Sequence, residues 1–145
     1  MKALIVYEGN TEKVGQAICS GMKQSGLADV TCRAVGNVSP ADLASADYWV
    51  LGAPSSGFFA GRKISGLLKR SVSTNGKAKG VLFDTRMAGE QSGMVEKLAA
   101  IMKGANINVT SWTYFSTGPN KELLPGEETM AMIYGKNLAE SMKRT

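Results

Sequence analysis

Apolar runs of strand length alternate with helical periodicities from one end of this chain to the other, and no other feature constrains the fold as strongly. The runs are Ala3 to Tyr7, Val30 to Val35, Tyr48 to Gly52, Gly80 to Asp84 and Ile107 to Phe115. Helical patterns lie between them near 10–25, 61–73, 91–104 and 127–144; in the first, Val14, Ala17, Ile18 and Met22 recur at the spacing of one helix face. The interval between the second and third runs offers only a short turn at Pro40-Ala41-Asp42-Leu43. Five strands and four helices make five βα units with one interval reduced to a loop. Such alternation predicts an α/β fold: a doubly wound parallel sheet with right-handed crossovers and helices on both faces.

A single domain over residues 1–145 is expected, since a chain of this length buries about 68–70% of its unfolded surface in one core. Neither a disulfide nor a metal is required. Cys19 and Cys32 lack metal-ligand spacing, and the chain has no histidine, which excludes histidine metal ligands and histidine general bases. Ser55 and Ser56 have no base partner in the pattern, so a hydrolase has little support. The chain opens directly on the first strand, and no stretch approaches the roughly 18 apolar residues of a membrane span. The expectation is a soluble cytoplasmic protein. The net charge of +5 raises the question of nucleic acid, but the basic residues are scattered, with neither a basic run nor an aromatic-basic module. No nucleic-acid partner is expected; the excess charge favours acidic partners or anionic ligands through long-range steering.

Open sheets of this kind bind ligands at the carboxyl ends of their strands, beside the point where strand order reverses. Three loops qualify. Glu8-Gly9-Asn10-Thr11 follows the first strand and opens a helix whose first N–H groups, on Thr11, Glu12 and Lys13, have no intrahelical partner and attract an anion. The alternative for this segment is that Gly9 or Asn10 simply turns the chain and caps the helix. The second loop runs from Ala53 through Pro54, Ser55, Ser56, Gly57, Phe58 and Phe59 to Gly61, and its aromatic pair suits a flat apolar ligand, unless either ring folds back over the core. The third, Thr85-Arg86-Met87-Ala88-Gly89-Glu90, carries an arginine able to neutralise a phosphate or a partner carboxylate, or to pair with Asp84 or Glu90.

Met1 to Tyr7 followed by Gly9-Asn10-Thr11-Glu12-Lys13-Val14, then Tyr48-Trp49-Val50-Leu51-Gly52-Ala53-Pro54, then Val81-Leu82-Phe83-Asp84-Thr85-Arg86, resemble in order and spacing the strands and ligand loops of the flavodoxin family. The resemblance covers essentially the whole chain. It implies a five-stranded sheet in the order 2-1-3-4-5 and an FMN cofactor. Gly9, Asn10 and Thr11 would cradle the phosphate. Pro54, Ser55, Ser56, Gly57, Phe58 and Phe59 would flank one side of the flavin, with Asp84, Thr85, Arg86, Met87, Ala88 and Gly89 on the other. It implies an electron carrier serving redox partner proteins, with the flavin supplying the chemistry and the polypeptide tuning it.

The sequence also departs from the family. The first turn is about three residues shorter than the Ser/Thr-x-Thr-Gly-x-Thr loop, which leaves fewer N–H groups to converge on an anion. Glu8 stands in their place; a carboxylate about 6 Å from a phosphate charge costs about 3 kcal/mol at an effective dielectric of about 20, unless Lys13 or Arg86 offsets it or Glu8 points away. Met87 replaces the aromatic residue that often stacks on the ring, and the chain is basic where many carriers are acidic. Two alternatives follow. One is an interaction or regulatory module on the same fold that has lost FMN because of the shortened loop; the other is an FMN-dependent quinone or porphyrinogen oxidoreductase.

Overall fold

The structure is a computed structural model that describes every residue except Ala28, Phe58 and Thr145, so the flavin-flanking role expected of Phe58 lies outside the described residues. The elements run β1 (Ala3–Tyr7), α1 (Glu12–Gln24), β2 (Val30–Ala34), α2 (Pro40–Ala44), β3 (Tyr48–Pro54), α3 (Arg62–Ser71), β4 (Lys79–Met87), α4 (Met94–Gly104), β5 (Asn108–Thr117) and α5 (Glu127–Lys143). All strand pairs are parallel, in the order β2-β1-β3-β4-β5. This is the order that the resemblance implies, with its reversal between β1 and β3.

Two expectations are corrected. Pro40 to Leu43 belongs to a helix and not a bare turn. Ser39 Oγ accepts from the Asp42 amide (3.3 Å), the Asp42 carboxylate accepts from the Ser39 amide (2.8 Å), and proline takes the first helical position. β3 and β4 also run further than their apolar residues indicate. Pro54 pairs in register with Thr85, Arg86 with Ser116 and Met87 with Thr117, so Ala53 and Pro54 end a strand, and Thr85, Arg86 and Met87 are strand rather than loop. Pairing with a neighbouring strand holds polar residues in β4 that local pattern alone reads as a turn.

Successive β1 side chains point to opposite faces, and both are covered. Ala3 and Ile5 join Val50, Val81 and Phe83 under α1 and α5. Leu4 and Val6 join Trp49, Leu51 and Leu82 under α2, α3 and α4. Trp49 is fully buried, and its Nε1 donates to the carbonyls of Leu43 (2.8 Å) and Ala46 (3.2 Å), which ties α2 to β3. α1 and α5 touch backbone to backbone: a Cβ on Gly21 would lie 2.1 Å from the Met132 carbonyl oxygen, and one on Gly135 2.1 Å from that of Ile18. Among the described residues no helix is long and apolar enough to cross a membrane, and no group of three or more potential metal ligands occurs.

Candidate functional site

The reversal of strand order sends the chain leaving β1 and the chain leaving β3 apart, opening a crevice at their carboxyl ends. The β1 side is a very short turn. Glu8 N–H donates to the Gly52 carbonyl (3.1 Å) and to Thr11 Oγ1 (3.2 Å), while the Thr11 hydroxyl donates to the Glu8 carbonyl (2.7 Å). Gly9 takes the left-handed conformation, φ +59°, that so tight a turn requires. Thr11 is buried, and its hydroxyl closes this turn. Gly9 and Asn10 are the exposed residues of the segment.

The Glu8 side chain leaves the turn and caps a different helix. Its Oε2 accepts from the Gly61 amide (3.0 Å) and its Oε1 from the Ile64 amide (2.8 Å). α3 starts after a glycine and has no side-chain cap of its own, so the carboxylate of Glu8 satisfies its first donors and sits at the positive end of its dipole.

The second predicted loop divides into a supporting part and an open part. The Ser55 amide donates to the Thr85 carbonyl (2.8 Å), and Ser55 Oγ accepts from the Met94 amide (3.0 Å) at the start of α4. Beyond it, Ser56 is half-buried and Gly57 exposed. Phe59 is 63% exposed, with the Arg62 guanidinium 5.4 Å from its ring centre; of the two fates considered for this ring, it does not fold back over the core.

The third predicted loop begins inside the protein, at Thr85 and Arg86 beside Asp84, and is exposed from Met87 onward. Asp84 is fully buried; its Oδ1 accepts from Arg86 Nε (2.9 Å), and its Oδ2 from Arg86 Nη2 (2.7 Å) and the Val95 amide (2.9 Å). Arg86 is 2% exposed, reaches Glu96 at 3.5 Å and lies 4.2 Å from the ring centre of Tyr114. Of the roles open to Arg86, ion pairing is the one seen, with Asp84 as expected and with Glu96 in place of Glu90. Hydrogen bonding to Asp84 raises the pKa of the Arg86 guanidinium above its ordinary value. The loop over this pair must be glycine at position 93, where a Cβ would lie 2.3 Å from Ser55 Oγ and 2.5 Å from Asp84 Oδ2. Thr85 is buried beside the pair, while Met87, Ala88 and Gly89 form an exposed rim.

Two cavities lie at this edge of the sheet. The smaller, about 360 Å³, joins Gly9 and Asn10 to Pro54, Ser56, Gly57, Phe59 and Ala60, and Lys121 reaches it from the far side. The larger, about 590 Å³, lies between the β1–α1 turn and the β5–α5 loop and shares Gly9, Asn10 and Lys121 with it. The first two predicted loops therefore come together; the residues from Asp84 to Gly89 do not line either cavity. Sequence reasoning missed the β5–α5 loop as a wall of the site. Its Gly118-Pro119-Asn120 punctuation marks a turn, but only the fold brings the Lys121 carbonyl to Asn10 Nδ2 (3.4 Å).

No protein-family model matches the sequence, and no curated protein does. Solved structures do resemble it. A flavodoxin from the domain Archaea superposes with a TM-score of 0.77 at 20% identity, over 99% of each chain. The two-electron reduced flavodoxin of Megasphaera elsdenii gives 0.71 at 22% identity, over 95% of this chain and 98% of that one. The rubredoxin oxygen:oxidoreductase of Desulfovibrio gigas gives 0.77 at 14% identity, over 99% of this chain but 36% of that one. Strand order, helix placement and these likenesses together give the chain the fold of the flavodoxin family.

Proposed function

We propose that this protein is an FMN-binding electron-transfer protein of the flavodoxin type. The observation that supports it most directly is the cavity at the β1/β3 reversal, where Gly9 and Asn10 face Pro54, Ser56, Gly57 and Phe59. Its volume, and that of its larger neighbour, falls in the range of about 300–1,000 Å³ typical of small-molecule sites. The residues fit the group: Pro54 and Phe59 offer an apolar wall for the ring, and Gly9, Asn10 and Gly57 offer backbone toward the phosphate end. Met87, Ala88 and Gly89, exposed at the same edge of the sheet but outside both cavities, would approach the ring from the other side. Ser55, Asp84, Thr85 and Arg86 act beneath them, fixing where that segment leaves the sheet. Thr11 contributes by holding the turn shut. A bound FMN would supply one- or two-electron chemistry, and the polypeptide would orient the ring and restrict water around it. The net charge of +5 favours acidic redox partners, with association that weakens as salt rises.

The test is an FMN titration followed by flavin-fluorescence quenching, with riboflavin in parallel. Quenching of FMN in preference to riboflavin is the expected result. Binding of neither favours a second reading, an interaction module that no longer holds flavin. That reading is supported by the shortness of the β1–α1 turn and by the internal use of the Thr11 hydroxyl.

A further inference from the structure

Lys121 occupies a backbone conformation that lysine rarely adopts, φ +64°. The segment is a tight hairpin: Thr117 and Leu123 form an antiparallel bridge, the Gly118 amide donates to the Glu122 carbonyl (2.9 Å), and the Lys121 amide donates to the Gly118 carbonyl (3.0 Å). Gly118-Pro119-Asn120-Lys121 is thus a turn whose last residue is left-handed, the position that glycine ordinarily holds in a three-residue hairpin loop. A side chain there costs about 1–2 kcal/mol that glycine does not. Strained backbone of this kind clusters at ligand sites, although Asn106 takes the same conformation away from this one.

The surroundings of Lys121 indicate a task for its side chain. Lys121 Nζ lies 3.3 Å from where a Cβ on Gly57 would stand, which places the ammonium over the second loop. Its carbonyl is tied to Asn10, so its backbone is anchored to the β1–α1 turn. It is the one ionisable residue among those lining the smaller cavity, and among the described residues no carboxylate forms an ion pair with it. Two other cations lie near this edge: Lys13 lines only the larger cavity, together with Glu12, Glu122 and Glu128, and the Arg62 guanidinium lies over the Phe59 ring without lining either cavity.

We propose that Lys121 reads the anionic group of the ligand in this cleft, the phosphate monoester of a flavin mononucleotide, and so distinguishes FMN from its dephosphorylated form. The proposal rests on the flavin reading above. It assigns to one lysine the charge neutralisation that a shortened turn, its threonine hydroxyl already engaged, supplies less well.

The experiment measures FMN and riboflavin affinities, and thermal unfolding, for the wild type, Lys121→Gly, Lys121→Met and Lys121→Arg. Removing the charge in Lys121→Gly and Lys121→Met should weaken FMN by about tenfold or more while leaving riboflavin unchanged. Lys121→Arg should keep the preference, and Lys121→Gly should unfold at a temperature no lower than the wild type. A wild type that binds FMN, with a preference over riboflavin that survives in both uncharged variants, overturns this proposal alone, as does equal wild-type affinity for the two flavins. A wild type that binds neither overturns the flavin reading and this proposal with it.

Discussion

Replacing Glu8 by alanine removes the acceptor for two buried amides, those of Gly61 and Ile64, at 3.0 and 2.8 Å. A buried donor left without a partner costs about 1–3 kcal/mol, and water admitted into the vacated space recovers part of it. Loss of the negative charge from the start of α3 adds a further fraction of a kcal/mol to about 1. The expected destabilisation is about 2–4 kcal/mol. For a domain of this size that is a fall of about 6–12 °C in melting temperature. Glu8→Gln keeps one oxygen acceptor but directs an NH2 group at the second amide and loses the charge, so an intermediate loss is expected. Urea unfolding should show the change in midpoint with little change in slope. A Glu8→Ala protein within about 0.5 kcal/mol of wild type, the usual range for surface substitutions, would refute the capping argument.

Three further outcomes are expected. Gly135→Ala drives a methyl into the Ile18 carbonyl and should cost about 1–3 kcal/mol or more by the urea midpoint; a wild-type midpoint would mean that α1 and α5 are not held at backbone contact. Arg86→Met leaves the fully buried Asp84 without its cation and should cost about 3–5 kcal/mol, whereas a loss under 1 kcal/mol in calorimetry would show that Asp84 is satisfied by the Val95 amide alone. Hydrogen bonding from Cys32, against the opposing effect of burial and with help from Lys23, lowers the Cys19 thiol to about 7, while the same hydrogen bond pushes Cys32 upward. Ultraviolet absorbance should therefore show one thiolate appearing near neutrality, and Cys32→Ala should return Cys19 toward the ordinary thiol range. Because the Cys19 pKa is lower folded than unfolded, its contribution to stability is absent below about 7 and grows toward the unfolded thiol value of about 8.5; Cys32, raised on folding, opposes stability above that value. Unchanged Cys19 titration in Cys32→Ala would sink the pairing.

The sequence by itself determined the alternation of strands and helices, and with it the doubly wound parallel sheet, because burial period and cap chemistry are written into stretches of a few residues. Even the short helix at Pro40 had its signal in Ser39-Pro40-Ala41-Asp42, a capping box with proline in the first turn. The resemblance of three segments to a known family supplied the strand order. The same local reading located two of the loops that meet at the crevice, and it found the pairing of Arg86 with Asp84 among the alternatives. What the individual polar groups do was decided only by the tertiary structure. Glu8 reads locally as a charge in the path of a phosphate, yet its partners lie 53 and 56 residues away on another helix. Thr11 reads as a free hydroxyl until its bond to the Glu8 carbonyl is seen. Lys121 carries no local signal, since its place in the site depends on a contact with Asn10 across 111 residues. Which loops converge at the carboxyl edge follows from the strand order, and whether a side chain there is a ligand contact or a cap follows from which helix terminus that order brings within reach.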